Sequence, residues 1–335
     1  MTTLVTGASG FLGQAIVQKL VDNDRSVLAM HRPTSSLGAL EQLEGVTAVA
    51  GDLRQRGEWA EALRQATSLV HCAAAAEGDL ATQLAGTVLA TENLLAHLPQ
   101  GLERFVHISS FSVYDFNNPS RSGKLDEQTN VESAPSRRDA YTQTKILQEE
   151  LVRRHCDTHG IPLVVLRPGA IYGPGKAWDY GRALRVGPFD LVFAPGARMR
   201  LVHVADCAEA VQAALEVAVD DTLIVNVVGD EQPSHWAYRQ ASRKAGADLG
   251  IGIPVPYAMV GLLGWSARLA SKTFFKGRAR LPELLDRPRQ AARWRPLRYA
   301  NDRAQARLNW REGKSLENAL PEIVARDAEN RESKD

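Results

Sequence analysis

The residues best suited to chemistry in this chain are a tyrosine and a lysine four positions apart, Tyr141 and Lys145 in the stretch YTQTK. On a helix that spacing puts both side chains on one face. A phenol with a pKa near 10 is a poor acid–base group at neutral pH. An ammonium one turn away favours the phenolate and brings that pKa toward the working range. Upstream, ISSFSVY offers Ser110, whose hydroxyl can hold a substrate's carbonyl or hydroxyl oxygen. Ser110, Tyr141 and Lys145 are therefore the expected catalytic set.

A second constellation opens the chain. In TGASGFLG, Gly7, Gly10 and Gly13 follow the apolar pair Leu4-Val5 and lead into a helix-like pattern, Leu12, Ile16 and Leu20. The spacing is G-x-x-G-x-x-G. Glycines there allow a tight turn, let the backbone touch a pyrophosphate and let the helix lie close to the strand. The phosphates then meet free N–H groups at the positive end of the helix, with Ser9, Phe11 and Leu12 completing the cradle. A dinucleotide with a nicotinamide ring fits this pattern, and its oxidised, positive ring adds to the pull of Lys145 on the phenol.

The next strand ends in VLAMHRPTSS, which has no acid to hold a ribose 2′-hydroxyl. Arg32, with Thr34, Ser35 and Ser36 nearby, suits a 2′-phosphate instead, so NADP is favoured and NAD remains possible. Asp52, beside Leu53 at the end of the third strand, can accept from an adenine amino group. The small residues Ala73, Ala74 and Ala75 leave space for a flat cofactor. His71, just before the strand end, reads as structural.

Short apolar runs suited to strands occur at 3–6, 26–30, 46–50, 68–72, 104–108, 163–167 and 223–228, with amphipathic stretches at 11–22, 59–65, 86–97, 141–159 and 205–217 between them. Strands joined through helices predict an α/β fold, a doubly wound (Rossmann) parallel sheet with ligand at the carboxyl ends of its strands. The expected core covers residues 1–176, with 200–228 returning to it. Residues 177–199 and 229–335 are expected to form a smaller C-terminal substrate-binding lobe that caps the sheet's open edge. Residues 115–140 are polar and without period, which predicts a surface loop, functional or mobile at that length. In the lobe, 253–275 is apolar and aromatic, suited to a packed helix, a greasy pocket wall or peripheral contact with a membrane. From Lys276 to Arg311 there are eleven Lys or Arg against three acids (Glu283, Asp286 and Asp302). That stretch reads as a solvated basic face, or as a grip on phosphate-bearing ligands.

With 335 residues, 44% of them hydrophobic, the chain has enough to bury a large core. Its net charge of +1 gives no pull toward nucleic acid. Cys72, Cys156 and Cys207 form no C-x-x-C pair, which speaks against a disulfide framework or a metal site and for small buried residues in a reducing cytoplasm. No signal peptide, membrane span or repeat is expected.

In order along the chain, TGASGFLG, GDL, HCAAA, ATENLL, ISSFSVY, YTQTK, LRPGAIYGPG and LVHVADCAEA resemble the extended short-chain dehydrogenase/reductase family, also called NAD-dependent epimerase/dehydratase proteins. The resemblance covers nearly the whole chain. It implies Tyr141 as the proton-transfer residue, Lys145 as its modulator and nicotinamide-ribose ligand, and Ser110 as substrate-orienting. It also implies that Arg167-Pro168-Gly169 carries the loop beside the nicotinamide. Thr87 stands where many relatives have an Asn that orders the site, and still offers a hydroxyl. Members often pair as homodimers, through helices that would here be 86–97 and 141–159.

Dehydratases of the family carry an Asp-Glu pair after the substrate-holding hydroxyl, whereas Phe111-Ser112 follows Ser110 here. Sugar-nucleotide members commonly read R-D-F-V-x-V-x-D, whereas Met199-Arg200 replaces the Arg-Asp here. These forms look like the steroid-dehydrogenase-like and dihydroflavonol-reductase-like branch. The resemblance thus implies a ketone/alcohol oxidoreductase acting on a lipid-like, polyketide-like or terpenoid ketone or a 3-keto acid. The alternatives are a sugar-nucleotide epimerase with tightly bound NAD and a non-catalytic NADP-sensing scaffold.

Overall fold

The structure, a computed structural model, describes residues 1–119, 123–178, 184–275 and 287–332. The apolar runs form one sheet of seven strands: β1 (Thr2–Thr6), β2 (Ser26–His31), β3 (Val46–Ala50), β4 (Ser68–His71), β5 (Arg104–Ile108), β6 (Leu163–Pro168) and β7 (Thr222–Val227). All neighbours pair in parallel, in the order β3-β2-β1-β4-β5-β6-β7. The strand order reverses between β1 and β4, which opens a crevice above their carboxyl ends.

Period-two alternation sends neighbouring residues into opposite layers. Val5, Val106 and Val164 join the core under helices Phe11–Val21 and Val204–Glu216, while Leu4, Phe105 and Leu163 join the core under helices Ala90–Leu95 and Ala140–His159. Burying each such side chain stabilises the fold by about 1.5–3 kcal/mol. Both faces are covered, which is why β4 and β6 are buried at every position.

One expected helix takes a different form. Residues 86–97 begin inside a π-helical stretch, Leu84–Leu89, that runs into Ala90–Leu95. The wider turn lies against the site, and a Cβ on Gly86 would come within 2.9 Å of the Ala75 methyl.

The polar run 115–140 is not a plain surface loop. Asp115, Thr129, Glu132 and Arg138 are buried in it, strand Lys124–Leu125 pairs with Arg298–Tyr299, and Arg295 donates to the Phe116 carbonyl at 2.9 Å. Side-chain hydrogen bonds rather than apolar periodicity hold it, so no period marked it. Residues 120–122 lie outside the described residues.

Beyond residue 176, strands Leu184–Val186, Phe189–Phe193 and Ile251–Val255 form a small second sheet, backed by helix His235–Lys244. The span 253–275 is the end of that last strand followed by helix Tyr257–Phe275. The span expected as the second lobe is not uniform. Ala304, Leu308 and Trp310 pack into the large sheet's core, and Arg303 donates to the Ile224 carbonyl of the edge strand β7 at 3.2 Å. Part of the basic stretch, 276–286, lies outside the described residues. In the remainder, Arg287, Arg293, Arg298, Arg307 and Arg311 are exposed, as a solvated basic face would be, and Arg289 and Arg293 also line the cleft described next. Among the described residues no helix is long and apolar enough to cross a membrane.

Candidate active site

The crevice is a cavity of 1080 Å³. All of the candidate residues line it: Gly7, Ser9, Gly10, Phe11, Leu12, Gly13, Arg32, Asp52, Leu53, Ala73, Ala74, Ala75, Ser110, Tyr141, Lys145 and Pro168.

At its phosphate end the backbone is packed too tightly for side chains. Gly7 has φ +70°, and a Cβ on Gly13 would lie 2.0 Å from the Gly7 carbonyl oxygen. Gly10 caps helix Phe11–Val21 in an extended conformation, with no side-chain acceptor and no acid in the first turn. The helix N-terminus therefore keeps its N–H groups and positive dipole end for an anion. Ser9 Oγ meets Ser35 Oγ at 3.1 Å, which ties the glycine turn to the loop carrying Arg32.

Asp52 is engaged by a residue the sequence reading passed over. Arg54 donates to both carboxylate oxygens, through Nε at 3.0 Å to each and Nη2 at 2.6 Å to Oδ2. The Arg54 hydrogen bond holds the Asp52 pKa below the usual carboxylate range. This end of the cleft thus carries two arginines and one neutralised acid, which favours an anionic guest.

The end of the cleft that holds the tyrosine and lysine is set by helix Ala140–His159. Asp139 caps it, accepting from the Thr142 N–H at 2.9 Å, and the helix stops at Gly160 in the left-handed region, φ +63°. Tyr141 lies in the first turn, and Ser110 lines the same part of the cleft. Burial raises the pKa of the phenol, and the Ser110 hydroxyl draws it partly back. This corrects the expectation that Lys145 would bring it down. The Lys145 ammonium is buried and turned inward, donating to the Ile108 carbonyl at 2.6 Å and to the Gln148 amide oxygen. Burial brings its own pKa down from 10.5 to about 8.

Gln148 passes the contact on. Its Nε2 donates to the Ala73 carbonyl at 3.0 Å and to Thr91 Oγ1 at 2.9 Å, and lies 3.0 Å from His71 Nε2. His71 also meets Thr6 Oγ1 at 2.8 Å, and its pKa is depressed to about 3 by burial, so it stays neutral as a structural residue. Thr87 takes part as well: its hydroxyl accepts from the Ala75 N–H at 2.9 Å and fixes the alanine segment. Cys72 lines the cleft, and burial pushes its thiol up to about 11.

Arg167 does not line the cleft, whereas Pro168 and Gly169 do. Arg167 is buried in an ion pair with Glu149, Nη2 to Oε1 at 2.5 Å and Nε to Oε2 at 3.0 Å. Ser109 Oγ donates to the same carboxylate at 2.5 Å.

Arg138, Arg200, Arg289, Arg293, Trp178 and Trp294 also line the cavity. Arg138 is held by Glu132 and by the Tyr114 and Ser112 carbonyls, and Arg289 donates to the Arg138 carbonyl at 3.4 Å. The Arg200 guanidinium lies 5.0 Å from the centre of the Phe116 ring and donates to the Ala292 carbonyl at 3.0 Å. Arg200 was visible as an unusual residue in MRLVHVAD, and Gln148 shares the face of Tyr141 and Lys145 at helical spacing. Neither signal fixes a position in the site by itself.

A model of the NAD-dependent epimerase/dehydratase family matches residues 3–227. The chain belongs to that family. Sterol demethylase protein B of Methylococcus capsulatus is 35% identical over 204 residues, which make up 60% of this chain and 59% of that protein. The 2-alkyl-3-oxoalkanoate reductase of Stenotrophomonas maltophilia is 32% identical over 179 residues, 52% of each chain. The chain thus aligns with between half and three-fifths of the length of these relatives. The crystal structure of UDP-glucuronic acid 4-epimerase from Bacillus cereus in complex with NAD superposes with a TM-score of 0.73, covering 98% of this chain and 99% of that one at 19% identity, a likeness of fold. The family is described as NAD-dependent, so the group to test against the cleft is a nicotinamide dinucleotide. The cleft fits that group: the space a Cβ would fill at Gly7 and Gly13 is closed by backbone, and the helix end above it is uncapped.

Proposed function

We propose that the protein is an NADP-dependent reductase of a ketone on a lipophilic substrate that also bears an anionic group, such as a 3-keto acid. The observation that carries this reading is that Ser110 and Tyr141 share one cavity with arginines 138, 200, 289 and 293 and the rings of Trp178 and Trp294. The names of the two relatives, a sterol demethylase protein and an oxoalkanoate reductase, support a substrate of that kind.

When bound, the dinucleotide supplies the hydride. Gly7, Gly10 and Gly13 hold its phosphates, and Arg32 takes a 2′-phosphate. Ser110 donates a hydrogen bond to the substrate oxygen and fixes it beside Tyr141. The raised pKa keeps the phenol protonated at neutral pH, the form that delivers a proton to the developing alkoxide. Lys145, with a pKa of about 8, keeps most of its charge at pH 7 and offers it to the ribose side of the cleft. The arginines grip the carboxylate and so place the carbonyl. Leu89 and Leu147, exposed on the outer helices, support a homodimer formed through those helices.

The same arginines suit a diphosphate, which keeps a sugar-nucleotide epimerase as the second reading. Oxidation of NADPH by 2-alkyl-3-oxo acids, by their methyl esters and by sugar nucleotides separates the two. Acids should outpace esters in kcat/KM by about 10–100-fold, the worth of a charge-assisted pair, and Arg200→Met should erase the difference. Arg32→Ala should raise the KM for NADPH far more than for NADH. Equal turnover of acid and ester refutes the anionic reading. Epimerisation of a sugar nucleotide with no net use of NADPH establishes the alternative.

A further inference from the structure

The small sheet of the lobe has its polarity reversed. On its inner face Asp190 is fully buried and paired with Arg239 of helix His235–Lys244, Nη2 to Oδ2 at 2.9 Å. On its outer face two cross-strand rows of apolar side chains stand side by side: Ile251, Phe189 and Val186, then Ile253, Leu191 and Leu184. Strand register puts each row on one face. Ile251 is 59% and Val186 52% exposed, and even Phe189 and Ile253 keep about 40% of their surface open.

Helix Tyr257–Phe275 covers one end of this face. Its buried Val260 packs in one cluster with Phe193, the residue that continues the line of Phe189 and Leu191 along the strand. Its own outer side carries Met259, Leu262, Trp265 and Leu269 at helical spacing, with Leu262 62% and Trp265 53% exposed. Exposed apolar side chains gathered on two consecutive elements in this way mark an interaction surface.

We propose that this face docks the protein on an anionic lipid bilayer, with helix Tyr257–Phe275 lying in the plane of the interface. Charge selects the occupant. Residues 249–282 contain five Lys or Arg, beginning with Arg268 and Lys272, and no acid, although the whole chain has 40 basic residues against 39 acidic ones. Apolar residues on one side of a helix that bears only positive charge match a headgroup layer with acyl chains beneath. A second copy of the same face would meet it with like charge. The face is also joined to the reaction cavity, since Trp294 lines that cavity and stacks edge-on against Phe193 at 5.3 Å between ring centres. The arrangement gives a lipophilic substrate a short path from bilayer to site.

Co-sedimentation of the full chain with vesicles of phosphatidylcholine and phosphatidylglycerol, against vesicles of phosphatidylcholine alone, tests the proposal. The protein should bind the anionic vesicles more strongly. Leu262→Glu/Trp265→Glu and Phe189→Glu/Ile251→Glu should each lower that binding by about 100-fold, from the apolar burial lost. NADPH binding by the same variants, followed by fluorescence, reports that they are folded. Brominated lipid should quench the native protein's tryptophan emission more than that of Trp265→Phe, a readout that needs no charged variant. Absence of vesicle binding by the native chain overturns the proposal. So does equal binding by folded variants, or a fall in mass by light scattering in the variants without vesicle binding by the native chain, which would make the face a dimer contact.

Discussion

Replacing Lys145 with Met tests whether the site is held under electrostatic strain. The fall in its pKa from 10.5 to about 8 corresponds to about 3 kcal/mol against the charged form in the folded protein. Methionine removes that cost but leaves the Ile108 carbonyl and the Gln148 amide oxygen without their donor, at about 1–3 kcal/mol each. The two effects nearly cancel at pH 7, so the variant should be about as stable as the native protein while the proposed reductase activity collapses. The pH dependence separates them. The folded pKa lies below the unfolded one, so between about pH 8 and 10.5 the unfolded chain binds more protons, and native stability relative to the variant rises with pH. The expected gain is about 2.5 kcal/mol between pH 7 and pH 10. Urea unfolding of both dinucleotide-free proteins across that range measures it. A native-minus-variant difference that stays constant with pH would refute the argument that burial, rather than function alone, shapes this lysine.

Tyr141→Phe should lower kcat by about 10²–10⁴-fold, the range for a positioned proton donor, and leave NADPH affinity within about twofold by fluorescence titration. A comparable loss of NADPH affinity would place the phenol in cofactor binding instead. Gly13→Val should abolish NADPH binding and lower Tm, because its Cβ would sit 2.0 Å from the Gly7 oxygen and force the helix off the turn. Calorimetry and circular dichroism check both effects.

Strand ends fell within a residue or two of the apolar runs because a sheet covered on both faces admits few polar positions. Ser110, Tyr141, Lys145 and the three glycines were legible for a similar reason: their chemistry depends on local spacing. What stayed hidden depends on distant contacts. Arg138 is buried through Glu132, within a run without periodicity, and through the Ser112 and Tyr114 carbonyls just before that run. Gln148 gains its role from His71, Ala73 and Thr91, which lie on other elements. Arg200 reaches the cleft because the strand after it, Leu201–His203, pairs with Ala170–Tyr172. The outward apolar face of the small sheet was invisible too, since alternation shows that two faces differ but not which one meets the solvent.

The Glu149 carboxylate explains how three separately folded segments keep one geometry. Ser109 donates to it and stands next to Ser110. Arg167 forks onto it and stands next to Pro168. Glu149 itself lies on the helix that carries Tyr141 and Lys145. Any rotation of that helix, or any slip of β5 or β6 along it, would strand a buried charge, at a cost well above that of losing an exposed pair. Buried apolar contacts alone tolerate sliding, whereas a carboxylate with three directed hydrogen bonds does not. The positions of the serine, the tyrosine and the proline-bearing loop are therefore set by one charged group that never needs to touch the substrate.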